Sequence, residues 1–417
     1  MEFKNLVRTI LFAGVTSVVS TSVLAEETVE QLSLRLERMQ QEMNQVKLQL
    51  KNSVSKEEVQ VIEENIAIAS EWRQPDTLIH MAGYADVGYA DTESTDGSYN
   101  IGSFSPIFHF QYRDLVMLES ELEIVVGEDG TTEVALEYLT VDWFINDYMV
   151  LVAGKFLSPV GQFRQNIHPS WINKLPSAAP GFGHDGAAPV SDLGLQLRGG
   201  FSIGSVRTNY AVFVSNGPEL VAEMEEEAGE IEFELDGVEA EGFGADSDGK
   251  KVFGGRLGFI PFAGFEFGVS LASGSATVTS IHEGDSSLLS GEGNRDYDVF
   301  GADFSWQFAG FSLRGEYVET KVGADIGSGV AASDGATWQT WYTQGAYRLA
   351  QSNWELVTRY TDFDSPHNSQ DQKQWAVGTN YLFTNSFVGK ISYEFNDGQT
   401  GSSVDENRFL LQLAYGF

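Results

Sequence analysis

The 417 residues include no cysteine, so no disulfide can brace this chain. A secreted chain of this length must then rely on extensive backbone pairing or a large core. Nor is there a run of ~18 consecutive apolar residues, which excludes a transmembrane helix. Basic residues are scarce, 25 against 60 acidic ones, and the formal charge of −35 excludes a nucleic-acid binder on electrostatic grounds. Only ten prolines occur, and five of them crowd into one short stretch. Glycine and aromatics are abundant instead: 44 glycines and 12% aromatic residues fit many strands joined by tight turns.

The chain opens as an export signal does. Lys4 and Arg8 form a basic start, Ile10 to Val19 is apolar but too short to span a bilayer, and Val23-Leu24-Ala25 is a small-residue cleavage pattern. Residues 1–25 are therefore expected to be removed, leaving 23 basic and 59 acidic residues, a net charge of −36. An exported chain without an apolar helix is either soluble or a β-barrel.

Residues 26–54 read as a periplasmic coiled coil. Val29, Leu32, Leu36, Met39, Met43, Val46 and Leu50 alternate at spacings of three and four, a seam over three heptads that predicts a parallel oligomer. Glu42 and Lys47 fall where they would pair across such a seam; a single amphipathic helix is the alternative. Residues 55–76 read as a short helix and linker, with Ser55 and Glu58 as a capping box before Pro75.

From Thr77 the hydrophobic period switches to two. Alternation predicts sixteen strands, at 79–89, 101–112, 115–126, 133–144, 148–157, 191–200, 205–214, 251–260, 265–273, 297–307, 311–319, 338–349, 353–362, 374–383, 387–396 and 406–417. Short turns alternate with longer polar connections, the sidedness of a membrane barrel with tight periplasmic turns and longer loops outside. The last strand carries Phe409, Leu411, Leu413, Tyr415 and Phe417 on one face and ends on the aromatic. That ending predicts closure of the sheet, with Tyr415 and Phe417 as the signal to the outer-membrane assembly machinery. The fold class is all-β: an antiparallel transmembrane β-barrel of about sixteen strands over 77–417, behind a short helical coiled coil.

Strand parity then sorts the charges. With the large apolar residues facing lipid, Arg198, Arg207, Arg256, Arg314, Arg348, Arg359, Lys390 and Arg408 turn inward, and Lys155 joins them in this reading. Glu119, Glu121, Glu123, Glu133 and Glu137 turn inward from the neighbouring strands. A lipid-facing Arg or Lys at the bilayer midplane costs ~2–4 kcal/mol, which drives this sorting. A lining of opposed charges cannot be dry, and about sixteen strands leave room for water.

Residues 158–190 hold the five crowded prolines (Pro159, Pro169, Pro176, Pro180, Pro189). Proline-stiffened backbone holds a fixed irregular path, so this segment is expected to fold inward as a constriction loop bringing Arg164, Lys174 and His184 near the path. Residues 216–250 include thirteen carboxylates between Glu219 and Asp248 and no Lys or Arg there. This segment is expected outside the membrane as a solvated loop.

The layout and two motifs carry a resemblance. The opening strand Ala82-Gly83-Tyr84-Ala85-Asp86-Val87, the stretch Gly154-Lys155-Phe156-Leu157-Ser158-Pro159-Val160-Gly161 before the long loop, and the coiled coil are similar to the phosphate-selective porin O/P superfamily, including its DcaP-like trimeric members. The resemblance implies a sixteen-stranded trimeric outer-membrane channel with an inward third loop. It also implies anion selection by an arginine ladder, to which Arg198, Arg207, Arg256 and Arg314 would contribute, and a lysine cluster that has no dense counterpart here.

The expected function is passive diffusion of small hydrophilic solutes or ions through a water-filled channel in the outer membrane. A phosphate- or dicarboxylate-selective channel is the alternative. A barrel enzyme, or a structural tether or adhesin, is an alternative of another class. His184-Asp185 and His367-Asn368-Ser369 match no recognisable catalytic spacing. No catalytic residue, metal site or cofactor is predicted.

Overall fold

The computed structural model describes residues 76–127, 130–183, 186–227, 230–239, 246, 248–281, 292–325, 332–367 and 369–417, besides the single residue 41. The export signal, the coiled-coil seam and the short helix before Pro75 lie outside them, as do His184 and Asp185.

Nineteen strands occur among the described residues. They are β1 Thr77–Thr92, β2 Ser98–Tyr112, β3 Val116–Val126, β4 Thr132–Asn146, β5 Met149–Leu157, β6 Ser191–Ile203, β7 Val206–Ser215, β8 Glu219–Glu227, β9 Glu230–Glu239 and β10 Val252–Phe262. The rest are β11 Phe265–Ala276, β12 Val278–Ile281, β13 Arg295–Phe308, β14 Phe311–Val322, β15 Ala336–Arg348, β16 Trp354–Asp364, β17 Gln372–Leu382, β18 Phe387–Gly398 and β19 Arg408–Gly416. Sixteen of them form one closed antiparallel barrel; β8, β9 and β12 form a separate three-stranded sheet.

Closure runs through the two ends of the barrel sequence. β1 pairs with β19 from Tyr84↔Gly416 to Thr92↔Arg408. Gly83 and Phe417 then exchange backbone hydrogen bonds in both directions, at 3.0 and 2.9 Å. A barrel in lipid needs this, because an unpaired edge has no water to satisfy it. Gly83 is required at the join: at φ +152° its position leaves a side chain only 2.5 Å from the Ser105 carbonyl oxygen.

Tight turns at one end set the register. In the hairpin β13–β14, Ala309 and Gly310 both have positive φ, 46° and 85°, as a two-residue turn matched to strand twist requires. That end also carries an outward ring belt, with Trp306–Phe308 and Phe311–Tyr347 each 4.3 Å apart and Phe383–Phe387 4.6 Å. Above it the outer face stays apolar, with Val269, Leu271, Phe300, Leu356, Val377 and Leu413 exposed. Such a surface is untenable in water and suited to hydrocarbon.

The acidic segment corrects one expectation. It is no unstructured solvated loop, since β8 and β9 pair from Glu219↔Glu239 to Glu227↔Glu230 and β12 adds in parallel. Leu220, Ala222 and Leu235 are buried, giving the sheet an apolar face.

Candidate functional site: the barrel interior and its inward loop

The segment after β5 crosses the interior. Gly161, at φ +71°, lets the chain turn beside β14, where any side chain would meet the Glu316 carboxylate. Glu316 Oε1 accepts from the Gln162 N–H at 3.0 Å, and the Gly161 N–H donates to Ser270 Oγ at 3.0 Å. One helical turn, Phe163–Ile167, follows. Phe163 and Phe182 pack together, with Phe182 edge-on to Tyr342, and both are buried. Farther along, Thr340 Oγ1 donates to the Pro180 carbonyl at 2.7 Å and Thr320 Oγ1 to that of Ala187 at 2.6 Å. The segment therefore lies along the inner faces of β11 and β14 to β19.

Most of the predicted basic residues attend to this segment or to acids. Arg359, 1% exposed, donates to the Ser177 and Ala178 carbonyls at 3.1 and 2.9 Å. Lys390, 2% exposed, donates to the carbonyls of Ser170 and Leu175 and to Gln412 Oε1. Lys174 reaches from the loop to Glu355 at 2.6 Å. Arg256 makes a two-pronged contact with Asp303, at 2.6 and 2.9 Å, and also meets Glu266 and Asn209. Arg408 pairs with Glu394 at 2.6 Å, and Arg198 with Asp142 at 2.6 Å. Arg348 donates to the Ser352 carbonyl in its own turn. Arg314 faces Ser305 and Gln344 across the ladder, and Arg207 is exposed at the turn end of β7.

Lys155 is the exception. It pairs with Leu139 and Leu193, both on the lipid-facing parity, so it points out of the barrel rather than into the lumen. Its ammonium turns back to the Leu136 carbonyl at 2.8 Å, a flexible stem letting the charge find a polar partner.

Opposite the loop stands the acidic wall of β1 to β4. Glu119, Glu121 and Glu123 project inward from β3. A bulge between Glu121 and Leu122 then shifts the parity of β4, so both Glu137 and Tyr138 are buried inward. Glu133 continues this row at the loop end, where it is exposed. Tyr84 donates to Glu121 at 2.7 Å and Tyr138 to Glu119 at 3.1 Å, holding both carboxylates in place.

Between wall and loop lie two openings. A cavity of about 980 Å³ on the loop side of the barrel is lined by Asp86, Asp96, Glu123, Glu137, Arg164 and His168. A second, of about 240 Å³, is lined by Glu119, Glu121, Tyr138, Gln196, Arg198 and His168. His168 borders both, with Nε2 3.8 Å from Glu121 and its ring edge-on to Tyr84. Arg164, 6% exposed, is the loop's own cation at the larger cavity.

Several of these partners were absent from the sequence-derived set: Asp86, Asp142, His168, Glu316 and Glu355. Inward parity marks Asp86 and Asp142, but nothing local marks where the loop meets Glu316 or Glu355. Asp246 and Asp248 are engaged in turns, by the Gly249 and Lys250 N–H groups at 2.7 Å each; Lys251 beside Asp246 holds that carboxyl below the usual carboxylate range.

The sequence matches no protein-family profile and no curated protein. Solved structures do match. OmpT of Vibrio cholerae with its loop L8 deleted, an outer membrane protein, superposes with a TM-score of 0.53 at 11% identity, covering 82% of this chain and 100% of that one. In-vitro folded OmpT of the same organism gives 0.51 at 11% identity, covering 83% and 99%. The outer membrane channel DcaP of Acinetobacter baumannii gives 0.47 at 10% identity, covering 83% and 99%. What the superpositions share is the fold, which in this chain is a closed barrel of sixteen strands.

Proposed function

We propose that this chain is an outer-membrane porin, a water-filled channel for passive diffusion of small hydrophilic solutes and ions. It shares the barrel fold of the outer-membrane proteins it superposes on, and its apolar outer face and aromatic belt suit a bilayer. Residues 158–190 serve as its constriction, and the path runs between that loop and the acidic wall. Residues 26–54 hold homotrimers together on the periplasmic side.

The channel favours cations. One observation carries this: Arg256, Arg359, Lys390 and Lys174 are engaged by Asp303, by loop carbonyls and by Glu355, and the larger opening is lined by four carboxylates, Asp86, Asp96, Glu123 and Glu137, against one arginine, Arg164. An excess of one sign of charge along a cleft concentrates the opposite ion. The resemblance to phosphate-selective porins would instead require Arg198, Arg207, Arg256 and Arg314 as an open ladder, and two of these four are paired with aspartates.

Reversal potential across a planar bilayer under a KCl gradient tests the reading. Stepwise conductance with a cation-selective sign is expected. An anion-selective sign overturns the preference, and a barrel without conductance overturns the channel.

A further inference from the structure

On the turn-end half of the acidic wall, His80 of β1 and His109 of β2 are direct partners in the ladder. Their Nδ1 atoms stand 3.2 Å apart, and the ring centroids 5.4 Å. His80 is exposed and the His109 side chain is 26% exposed, so both reach the open lumen. The next residue in the same lateral row is Glu119 of β3, whose Oε1 lies 3.4 Å from His109 Nε2.

The order of these groups matters. An ionised carboxylate only accepts hydrogen bonds, so Glu119 draws the imidazole proton of His109 to Nε2. The Tyr138 hydroxyl, donating to the same Glu119 oxygen, keeps that carboxylate in position. His109 Nδ1 is thereby left as a lone pair directed at His80 Nδ1. In the metal-free pair, the Nδ1–H of His80 fills the gap.

The same two nitrogens can instead share an ion lying beside the line between them. Two imidazole nitrogens each about 2.0–2.1 Å from one shared zinc-type ion stand roughly 3–3.4 Å apart at ordinary bond angles. The observed separation falls in this range, so the rings need only turn about their side-chain bonds to aim both lone pairs at one ion beside the Nδ1–Nδ1 line. A carboxylate on the remote nitrogen of a ligating histidine is the outer-shell arrangement that fixes tautomer and ring.

We propose that His80 and His109 form a two-histidine site for a divalent transition-metal ion of the zinc or copper class, water completing the coordination and Glu119 acting as a positioning residue. Imidazole selects such ions over the hard cations magnesium and calcium, which prefer oxygen. The neighbouring carboxylates raise the local cation concentration. Binding does not depend on the channel reading, since it needs only the folded wall.

The test uses the untagged full chain, folded in detergent, titrated with Zn²⁺ by calorimetry. One site per chain is expected, weakened at least tenfold by His80→Gln or His109→Gln and roughly 10–100-fold by Glu119→Gln, with no comparable heat from Mg²⁺. Copper supplies a readout that needs no variant: the electron paramagnetic resonance spectrum of the Cu²⁺-loaded protein should show splitting from two nitrogens. Zinc binding unchanged in both histidine variants, no zinc binding by the folded protein, or a copper spectrum without nitrogen splitting each overturns the site.

Discussion

The Arg359 guanidinium donates to the carbonyl oxygens of both Ser177 and Ala178, clasping two successive peptides of the inward loop from the barrel wall. Two strands away, Lys390 holds the carbonyls of Ser170 and Leu175, five residues apart in the same loop. Irregular backbone inside a barrel leaves carbonyls without ladder partners, and a buried carbonyl without a donor is costly. Buried cations on β16 and β18 answer that need. The cationic lining is therefore largely a set of clamps.

Replacing Arg359 with Gln should loosen the loop. Hydrogen bonds to a charged group are worth about 1.5–3 kcal/mol each, and glutamine can restore at most part of them. Single-channel recordings should show larger, noisier conductance steps, with the barrel still resistant to unfolding in detergent. Unchanged, quiet conductance would mean that the loop holds its place without this clamp.

Ion preference should follow the acidic wall. A unit charge about 6 Å from the path changes an ion's free energy by roughly 0.7 kcal/mol at the dielectric of water, about a factor of three. Because the cation loses and the anion gains that factor, Glu123→Gln and Glu137→Gln should each lower the cation-to-anion permeability ratio by up to about tenfold, read from reversal potentials. Arg198→Glu, placing a second carboxylate beside Asp142, should move the ratio the other way. No shift in any of these would put the ion path elsewhere.

The barrel was legible because period two is a backbone property: every predicted strand falls on a barrel strand, and the aromatic last strand closes against Gly83. Less legible was anything set by contacts across the lumen. No local pattern indicates that the loop lies along β14 to β19, or that Glu316 receives it. The β8–β9 hairpin does alternate, with Leu220, Ala222, Phe233 and Leu235 on one face, but its density of carboxylates reads as a solvated loop. Lys155 shares the parity of Leu151, a signal present in the sequence and outweighed by the expectation that cations face water. The β3–β4 bulge, which brings Glu137 and Tyr138 to the same side, leaves no sequence trace.

The outward Lys155 makes its own prediction. An exterior Lys at the bilayer midplane costs ~2–4 kcal/mol, falling toward ~0–1 near the interface. Lys155→Leu should therefore raise the urea midpoint of the barrel refolded in vesicles, and leave the reversal potential unaltered. A changed reversal potential would return this side chain to the lumen.

Deleting residues 26–54 should separate assembly state from permeation. The seam from Val29 to Leu50 would bury its apolar residues only between helices. Without it, trimers should dissociate at lower temperature in detergent while single barrels keep their conductance. Equal trimer stability with and without the segment would count against an oligomerising coiled coil.

The two ends of the barrel supply the sharpest test of closure. Removing Phe417 deletes both of its backbone bonds to Gly83, each worth about 1 kcal/mol net in water and more where lipid offers no substitute partner. It also removes the ring that stacks on Phe104 of β2, 6.3 Å away. Gly83→Val acts from the other side, forcing a side chain against the Ser105 carbonyl. Both variants should insert into vesicles more slowly and lose heat-modifiable mobility at lower temperature than the parent chain. If both insert and resist heat as the parent does, the β1–β19 seam is not where the cylinder is sealed.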